Sequence, residues 1–174
     1  MRHNSLVLIL LFILISCSSD RQDKVVISTK FGEMEFRLSQ ATPLHKSNFI
    51  TQVEAGRLSR GHFNRLVHNF VIQGGCPDKE DGSIDAEKWI PAEFQDSLRH
   101  VFGALGMGRD DNREKQSADC QFYIVTNPHG LQRLDGRYTV FGRITRGLDV
   151  LQALNTHALK NGNDSVAFEI GLVR

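Results

Sequence analysis

Arg65 and Gln73 have the clearest potential for chemistry, because both are polar residues in a stretch rich in apolar ones. Phe63 precedes Arg65 by two positions, and Phe70 lies just before Gln73. In an extended strand, alternate side chains point to one side, so we expect Phe63 and Arg65 to share a face. Such a guanidinium either packs its stem on the aromatic rings with its head in solvent, or it polarises a bound group. The residue pattern alone leaves both interpretations open.

Other familiar catalytic patterns are missing from the sequence. There is no G-x-S-x-G nucleophile elbow, and the seven histidines and three cysteines follow no metal-ligand spacing. The glycines at 103, 106 and 108 precede no predicted helix, so they match no dinucleotide-binding motif. The sequence therefore predicts no metal and no cofactor. It favours chemistry that needs only binding and polarisation.

Short β-rich segments must position these side chains. Residues 25–29 and 34–38 flank a turn and predict a hairpin. Thr42 and Pro43 predict the N-cap and first residue of a helix that ends at Gly56. Further strands are expected at 62–67, 70–73, 121–126, 138–144 and 166–173, a second helix at 147–154, and loops at 76–99 and 109–119. Many short strands with two helices predict a mainly β fold, a small barrel with helices over its ends.

The first residues of the chain are typical of a targeting signal. Residues 1–16 contain a single charged side chain and an unbroken apolar run of ten residues that ends at Ile15. A membrane-spanning helix needs ~20 apolar residues, so the run is better explained by a signal peptide. It continues into Leu-Ile-Ser-Cys, which resembles a bacterial lipobox. We expect a lipoprotein signal peptide over 1–16, and a lipidated Cys17 that begins a tether over 17–24. A secretory signal without lipid and an uncleaved anchor are the alternatives.

The charge balance restricts the class of partner. Lys and Arg total 21 against 20 Asp and Glu, which gives a formal net charge of +1. Nucleic-acid-binding proteins usually carry a basic excess, so we expect no nucleic-acid partner. Residues 25–174 show no internal repeat or second linker, and they are long enough to bury one core. We therefore expect a single domain over that range.

Four motifs, taken in chain order, resemble those of the cyclophilin family. Residues 63–75 resemble Phe-His-Arg followed by Phe-x-x-Gln-Gly-Gly, with Asn64 where the family usually has His. Residues 102–107 resemble the family's glycine-rich strand. Residues 121–124 are similar to its Ser-Gln-Phe-Phe-Ile strand, and residues 134–142 to Leu-Asp-Gly-x-x-x-Val-Phe-Gly. The resemblance covers nearly the whole chain after the tether.

This resemblance implies a fold, an activity and a set of site residues. The fold is a closed eight-stranded antiparallel β-barrel capped by two α-helices. The activity is peptidyl-prolyl cis-trans isomerisation, in which Arg65 would stabilise the twisted amide of an X-Pro bond and Gln73 would orient Arg65 and the peptide. The residues assigned to substrate binding are Phe63, Phe70, Val71, Gly108, Arg109, Gln121, Tyr123, Leu134 and Tyr138.

Some residues depart from the family's pattern. Val71 replaces a frequent Met, and Tyr138 stands where His is common. Tyr123 replaces the usual Phe and adds a hydroxyl that needs a partner or water. Arg133 occupies the place of a Trp or another aromatic residue in many members. The catalytic pair is intact, so we expect activity to be retained, with an altered substrate preference and weak binding of cyclosporin-type inhibitors.

Two cysteines lie beside the implied site. Cys76 follows the Gln73-Gly74-Gly75 run, and Cys120 precedes Gln121. If both glutamines face one site, the two cysteines are close, and a disulfide beside the pocket is one hypothesis. Two reduced, partly buried thiols are the other. An oxidising compartment outside the cytoplasm would allow the disulfide to persist.

Three functions follow from the signal segment and the resemblance. The first is an isomerase that is lipid-anchored to a bacterial membrane, faces the periplasm or cell surface, and assists protein folding in the cell envelope. Its partners would be proline-containing peptides and unfolded envelope proteins, and it would be a monomer. The second is a chaperone or scaffold module that binds Pro-containing segments with little turnover. The third is a structural lipoprotein of the envelope.

Overall fold

The computed structural model describes residues 24–76, 84–162 and 164–173. The predicted signal peptide, Cys17 and all of the tether except Lys24 lie outside these residues. The helices are α1 (Pro43–Glu54) and α2 (Leu148–Asn161). The strands are β1 (Lys24–Thr29), β2 (Gly32–Leu38), β3 (Arg60–Leu66), β4 (Val71–Gly75), β5 (Trp89–Ile90), β6 (Ala104–Met107), β7 (Ser117–Ala118), β8 (Gln121–Val125), β9 (Val140–Arg146) and β10 (Val166–Leu172).

Eight of these strands close into an antiparallel barrel in the order β1-β10-β3-β4-β8-β6-β9-β2. The short strands β5 and β7 pair with each other outside it. Helix α1 packs against β9 and β10, and α2 packs against β2. The predicted fold class is therefore confirmed. No helix in the described part of the chain is long and apolar enough to cross a membrane.

Aromatic side chains fill the barrel interior. Phe63, Phe122 and Phe168 contact one another with ring centroids 4.8 to 6.0 Å apart. Phe49 of α1 meets Phe122 edge-on at 5.6 Å, so it joins the helix to the same cluster. All four side chains are at most 3% exposed. Such packing gives a rigid support, because protein interiors are close-packed and resist deformation.

A bulge in β3 separates the two side chains that we expected on one face. Phe63 pairs with Gly74 and Arg65 pairs with Gln73, so Asn64 is an extra residue in β3. An extra residue reverses the alternation of side chains beyond it. Phe63 therefore points into the core, fully buried, whereas Arg65 is exposed. The prediction of a shared face was wrong, because it assumed an unbroken strand.

Helix α1 begins without the side-chain cap that we expected from Thr42, whose side chain makes no capping hydrogen bond. Instead, the Glu93 carboxylate accepts hydrogen bonds from the backbone N–H groups of Leu44 and His45, at 3.1 and 3.0 Å. It also contacts His45 Nδ1 at 2.7 Å, and His45 Nε2 lies 3.0 Å from the Ser117 hydroxyl. Burial lowers the pKa of His45, against the opposing effect of Glu93. A distant carboxylate thus replaces the local cap.

Several boundaries differ from the predicted ones. Helix α2 extends to Asn161, beyond the predicted end at Leu154. The two predicted loops contain β5 and β7. Strand β9 runs from Val140 to Arg146, because residues 134–138 form a hydrogen-bonded turn. Lys24 belongs to β1, one residue before the predicted start of the domain.

Cys76 and Cys120 form a disulfide, with their Cα atoms 5.4 Å apart. They flank the paired ends of β4 and β8, where Gly75 lies opposite Gln121. Gly75 adopts a φ of +110°, and a Cβ at this position would overlap the Cys120 carbonyl oxygen. Glycine is therefore required for the close approach of the two strands. The disulfide hypothesis is confirmed.

Candidate active site

A cleft of about 310 Å³ opens on the outer surface of the barrel. Strands β4 and β8 form its floor, because their side chains alternate between two hydrophobic clusters. Ile72 and Ile124 belong to the barrel core, whereas Val71, Tyr123 and Val125 belong to a separate cluster outside it. The residues that line the cleft are Arg65, Phe70, Val71, Gln73, Ile84, Gly108, Arg109, Asp110, Gln121, Tyr123, Leu134 and Tyr138.

The structure brings together almost all of the predicted site residues. Both predicted catalytic residues and every predicted substrate-binding residue except Phe63 line this cleft. Phe63 is fully buried in the barrel core. It supports the strand that carries Arg65, but the bulge prevents it from reaching the cleft. Its assignment to substrate binding is therefore corrected to a role in packing.

Arg65 lies at the edge of the cleft opposite Gln73. The pairing of β3 with β4 places the two residues side by side, and Arg65 donates a hydrogen bond to Gln73 Oε1 at 3.4 Å. The guanidinium carbon lies 5.5 Å from the centre of the Phe70 ring. Among the described residues the guanidinium makes no other hydrogen bond. Because a guanidinium has five N–H donors and Arg65 is exposed, most of these donors face solvent.

Tyr123 forms the floor of the apolar part of the cleft, and it is 4% exposed. Its hydroxyl lies 2.8 Å from Nε2 of the buried His100. The Asp135 carboxylate contacts His100 Nδ1 at 2.7 Å and accepts a bond from the His100 backbone N–H at 3.0 Å. A carboxylate at Nδ1 keeps the proton on that nitrogen, so Nε2 is the acceptor for the Tyr123 hydroxyl. The added hydroxyl therefore has its partner within the protein.

Burial controls the ionisation of this chain of residues. It lowers the pKa of His100, although the hydrogen bond and charge of Asp135 act in the opposite direction. It raises the pKa of Tyr123 well above its ordinary value. For Asp135, burial raises the pKa, but hydrogen bonds from His100 and nearby positive charge, including that of Arg99, together outweigh this effect and the pKa is lowered. At neutral pH, His100 and Tyr123 are thus uncharged and Asp135 is ionised.

Arg109 forms a fixed wall of the cleft. Its guanidinium carbon lies 4.8 Å from the centre of the Tyr138 ring. Its Nε donates to the Arg137 carbonyl at 3.1 Å, and one Nη donates to the Asp110 carbonyl and to Asp111 at 3.0 and 3.3 Å. The side chain is only 9% exposed. These contacts commit its charge to the protein, so it shapes the cleft more than it offers a free cation.

Gly108 lies where the wall formed by Arg109 meets strand β8 of the cleft floor. Its N–H donates to the Gln121 carbonyl at 2.7 Å, and its carbonyl accepts from Ala118 at 2.8 Å. A Cβ on Gly108 would lie 2.6 Å from Gln121 Oε1, which is too close. Glycine therefore keeps the side chain of Gln121 in the cleft lining.

The family model described as "Cyclophilin type peptidyl-prolyl cis-trans isomerase/CLD" matches residues 24–172. The chain belongs to the cyclophilin family. Among solved structures, the crystal structure of a cyclophilin type peptidyl-prolyl cis-trans isomerase from Cryptosporidium parvum matches with a TM-score of 0.73 at 23% identity. The match covers 86% of this chain and 96% of the other. At this identity, the likeness shows the shared fold.

Curated relatives support the same membership. This cyclophilin is 32% identical over 139 residues to the peptidyl-prolyl cis-trans isomerase CYP23 of Arabidopsis thaliana. The matched segment covers 75% of this chain and 59% of the relative. It is 30% identical over 157 residues to the peptidyl-prolyl cis-trans isomerase cypE of Dictyostelium discoideum. That match covers 88% of this chain and 96% of the relative. The chain spans 24% and 28% of the length of two further relatives, so several of them are considerably longer proteins.

Four residues of this cyclophilin's site were missed by the sequence analysis. Ile84 and Asp110 line the cleft, and the Asp110 carboxylate accepts from the Ile84 N–H at 3.0 Å. His100 and Asp135 support Tyr123 from behind. The hydroxyl that Tyr123 adds was the signal that pointed to such a partner, but nothing in the sequence indicated which residue supplies it. Within the described residues, no group of three His, Cys, Asp or Glu side chains could hold a metal ion.

Proposed function

We propose that this protein is a peptidyl-prolyl cis-trans isomerase that acts on X-Pro bonds to assist protein folding in the cell envelope. The observation that carries the proposal is the position of Arg65. Its guanidinium is held beside Gln73 at the edge of a cleft that has an apolar floor. Membership of the cyclophilin family supports the same activity.

The chemistry requires no nucleophile. Rotation about a peptide bond is slow because amide resonance gives the C–N bond partial double-bond character, with a barrier of ~18–20 kcal/mol. In the twisted amide that resonance is lost, and the nitrogen becomes pyramidal and more basic. A donor that bonds to the nitrogen or to the nearby carbonyl oxygen stabilises this form more than the planar one. Only such differential binding accelerates the reaction.

Arg65 meets the requirements for that donor. Its planar fork presents several donors in fixed directions. The bond to Gln73 occupies one donor and restricts the orientation of the others. A preorganised donor needs no reorganisation during the reaction, which is the main source of electrostatic catalysis.

The apolar part of the cleft supplies the site for the proline ring. Val71 and Tyr123 form a floor that is almost fully buried, and Phe70 and Leu134 are half-buried walls. A ring seated there would place its preceding amide close to Arg65, since Arg65 lies against Phe70. A structure of the Cryptosporidium parvum relative was determined in the presence of the dipeptide Ala-Pro. That result supports proline-containing peptides as the substrate class.

We further propose that the protein acts at a bacterial membrane, as a monomer held by lipid at Cys17. The support is the apolar run that ends in Leu-Ile-Ser-Cys and precedes the polar tether. The Cys76–Cys120 disulfide is consistent with an oxidising compartment. Unfolded envelope proteins would then be the partners, and the site would face the periplasm or the cell surface.

An isomerisation assay on the full chain in detergent tests the proposed activity. Uncatalysed exchange of an Ala-Pro peptide takes roughly tens to hundreds of seconds, and the wild-type protein should shorten it by at least tenfold. Arg65→Ala should remove most of this acceleration. Arg60→Ala is the matched control on the same strand, because Arg60 is exposed and pairs with Glu169 at 3.2 Å.

The outcome also separates the alternative functions. Equal exchange times with and without the wild-type protein would exclude the isomerase. If the peptide bound without faster exchange, the chain would be a module that recognises Pro-containing segments. If it neither bound peptide nor accelerated exchange, a structural role in the envelope would be favoured.

A further inference from the structure

Two positively charged side chains lie against Phe70, which forms one wall of the cleft. The guanidinium carbon of Arg133 lies 5.0 Å from the centre of the Phe70 ring, and that of Arg65 lies 5.5 Å from it. Phe70 lines the cleft, so both charges lie at its edge. A charge within a Debye length of ~8 Å at physiological ionic strength is incompletely screened. A residue that passes this wall therefore meets a positive potential.

The position of Arg133 is set by a short turn. Gln132–Leu134 form one turn of 3-10 helix, in which the Leu134 N–H donates to the Leu131 carbonyl at 2.8 Å. Leu134 lines the cleft, so its neighbour Arg133 is held at the same edge. The side chain of Arg133 is exposed and rests on the ring. Its charge is thus directed to the surface that a peptide would cross.

Arg133 has no counter-charge of its own among the described residues. The described carboxylates around the cleft have other partners, including Asp110, which lines the cleft and accepts from the Ile84 N–H at 3.0 Å. Asp135 contacts His100 and Arg99, and Asp111 pairs with Arg109 at 3.3 Å. A carboxylate on the peptide would therefore meet a guanidinium that retains all of its donors. A bond of that kind is charge-assisted and stronger than a bond between neutral groups.

We propose that Arg133 makes this site selective for peptides with Asp or Glu next to the proline. The inference rests on the proposed isomerase activity and adds its substrate class. Arg65 contributes to the same potential, but its donors are directed to the reacting amide. Arg109 contributes less, since Asp111 and the stack on Tyr138 hold its charge. Lysine next to the proline would be disfavoured by repulsion.

The test compares peptides that differ only beside the proline. In one series the residue directly before the proline is Glu, Gln or Lys, and in the other the residue directly after it is varied in the same way. The cis-trans exchange of each peptide is measured by NMR at equilibrium, with the full chain in detergent. We expect kcat/KM for Glu to exceed that for Gln by about threefold to fivefold in at least one series, the size of a partly exposed ion pair. The Lys peptide should be slower than the Gln peptide, and added salt should reduce the difference.

Variants assign the preference to one residue. Arg133→Gln should reduce the ratio of Glu to Gln to less than twofold. Arg143→Gln should leave it unchanged, because Arg143 is an exposed arginine of β9 that does not line the cleft. Equal rates for Glu, Gln and Lys, or a preference that survives Arg133→Gln, would overturn the inference. Failure of the proposed activity is distinguishable, since the wild-type protein would then accelerate none of the peptides.

Discussion

The Tyr123 hydroxyl bonds to His100 Nε2 at 2.8 Å directly behind the floor of the cleft. Their rings are stacked at an interplanar angle of 11°. Asp135 fixes the tautomer of His100 from the other side. The floor of the cleft is thus supported by a polar chain in which Tyr123 and His100 are buried and every member has a partner. Such chains rigidify a structure when every member has a partner and destabilise it when one is lost.

Tyr123→Phe removes one member of that chain. His100 Nε2 is then buried without a partner, which costs about 1–3 kcal/mol. We expect the free energy of unfolding in urea to fall by that amount. Activity should change by less than about tenfold, because the aromatic ring that we propose as the floor for proline remains and only one hydrogen bond is lost.

Tyr138→Phe is the matched control, since the Tyr138 hydroxyl makes no hydrogen bond within the described residues. It should change the unfolding free energy by less than about 0.5 kcal/mol. Equal losses in the two variants would contradict the role assigned to His100.

Stability should depend on pH through the two buried histidines. Burial lowers the pKa of both His45 and His100 below the ordinary value of a histidine, about 6.5. Below about pH 6.5 the unfolded chain therefore binds more protons than the folded one, and the free energy of unfolding falls as the pH decreases. The stabilisation is complete above the unfolded pKa. Urea midpoints at pH 7.5 and 5.5 measure the effect, and equal midpoints would contradict it.

The Cys76–Cys120 disulfide should contribute strongly to stability. The cysteines are 44 residues apart in sequence. A crosslink of that span lowers the entropy of the unfolded chain by an amount worth about 4 kcal/mol in the loop-closure model. Dithiothreitol should therefore lower the urea midpoint of the wild-type protein. The Cys76→Ser/Cys120→Ser double variant should show the lowered midpoint without reductant and no further response to it. A reductant-insensitive wild type would contradict the prediction.

The proposed anchor predicts a specific mature N-terminus. Mass spectrometry of protein from a bacterial host should find acylated Cys17 as the first residue, and the wild-type protein should fractionate with membranes. Cys17→Ala should carry no lipid. Stable anchoring needs more than one acyl chain, so an unmodified N-terminal residue or a wild type found in the soluble fraction would contradict the proposal.

The β-rich segments of the sequence predicted a small barrel, and the resemblance to the cyclophilin family implied its eight strands and most of the residues of the cleft. Alternation along β4 and β8 separates Val71 and Tyr123 from the core residues Ile72 and Ile124. The motifs also placed Arg65 and Gln73 together, and the structure pairs them in adjacent strands. Their roles in catalysis remain predictions.

The features that were missed depend on contacts between distant segments. The bulge at Asn64 exists only in register with β4. Glu93 reaches the start of α1 from 49 positions away, and Asp135 reaches His100 from 35. No local propensity encodes such pairs. They form because the closed barrel brings their loops together, and burial then makes each hydrogen bond necessary.

The kinetic constants of Arg65→Lys test the central claim most directly. Lys keeps the charge but loses the planar fork, so a donor that acts mainly on the twisted amide should be lost while peptide binding persists. We expect kcat to fall by about 10²-fold with KM changed by less than about threefold. A raised KM with unchanged kcat would contradict the claim, because Arg65 would then bind the planar and twisted amides equally.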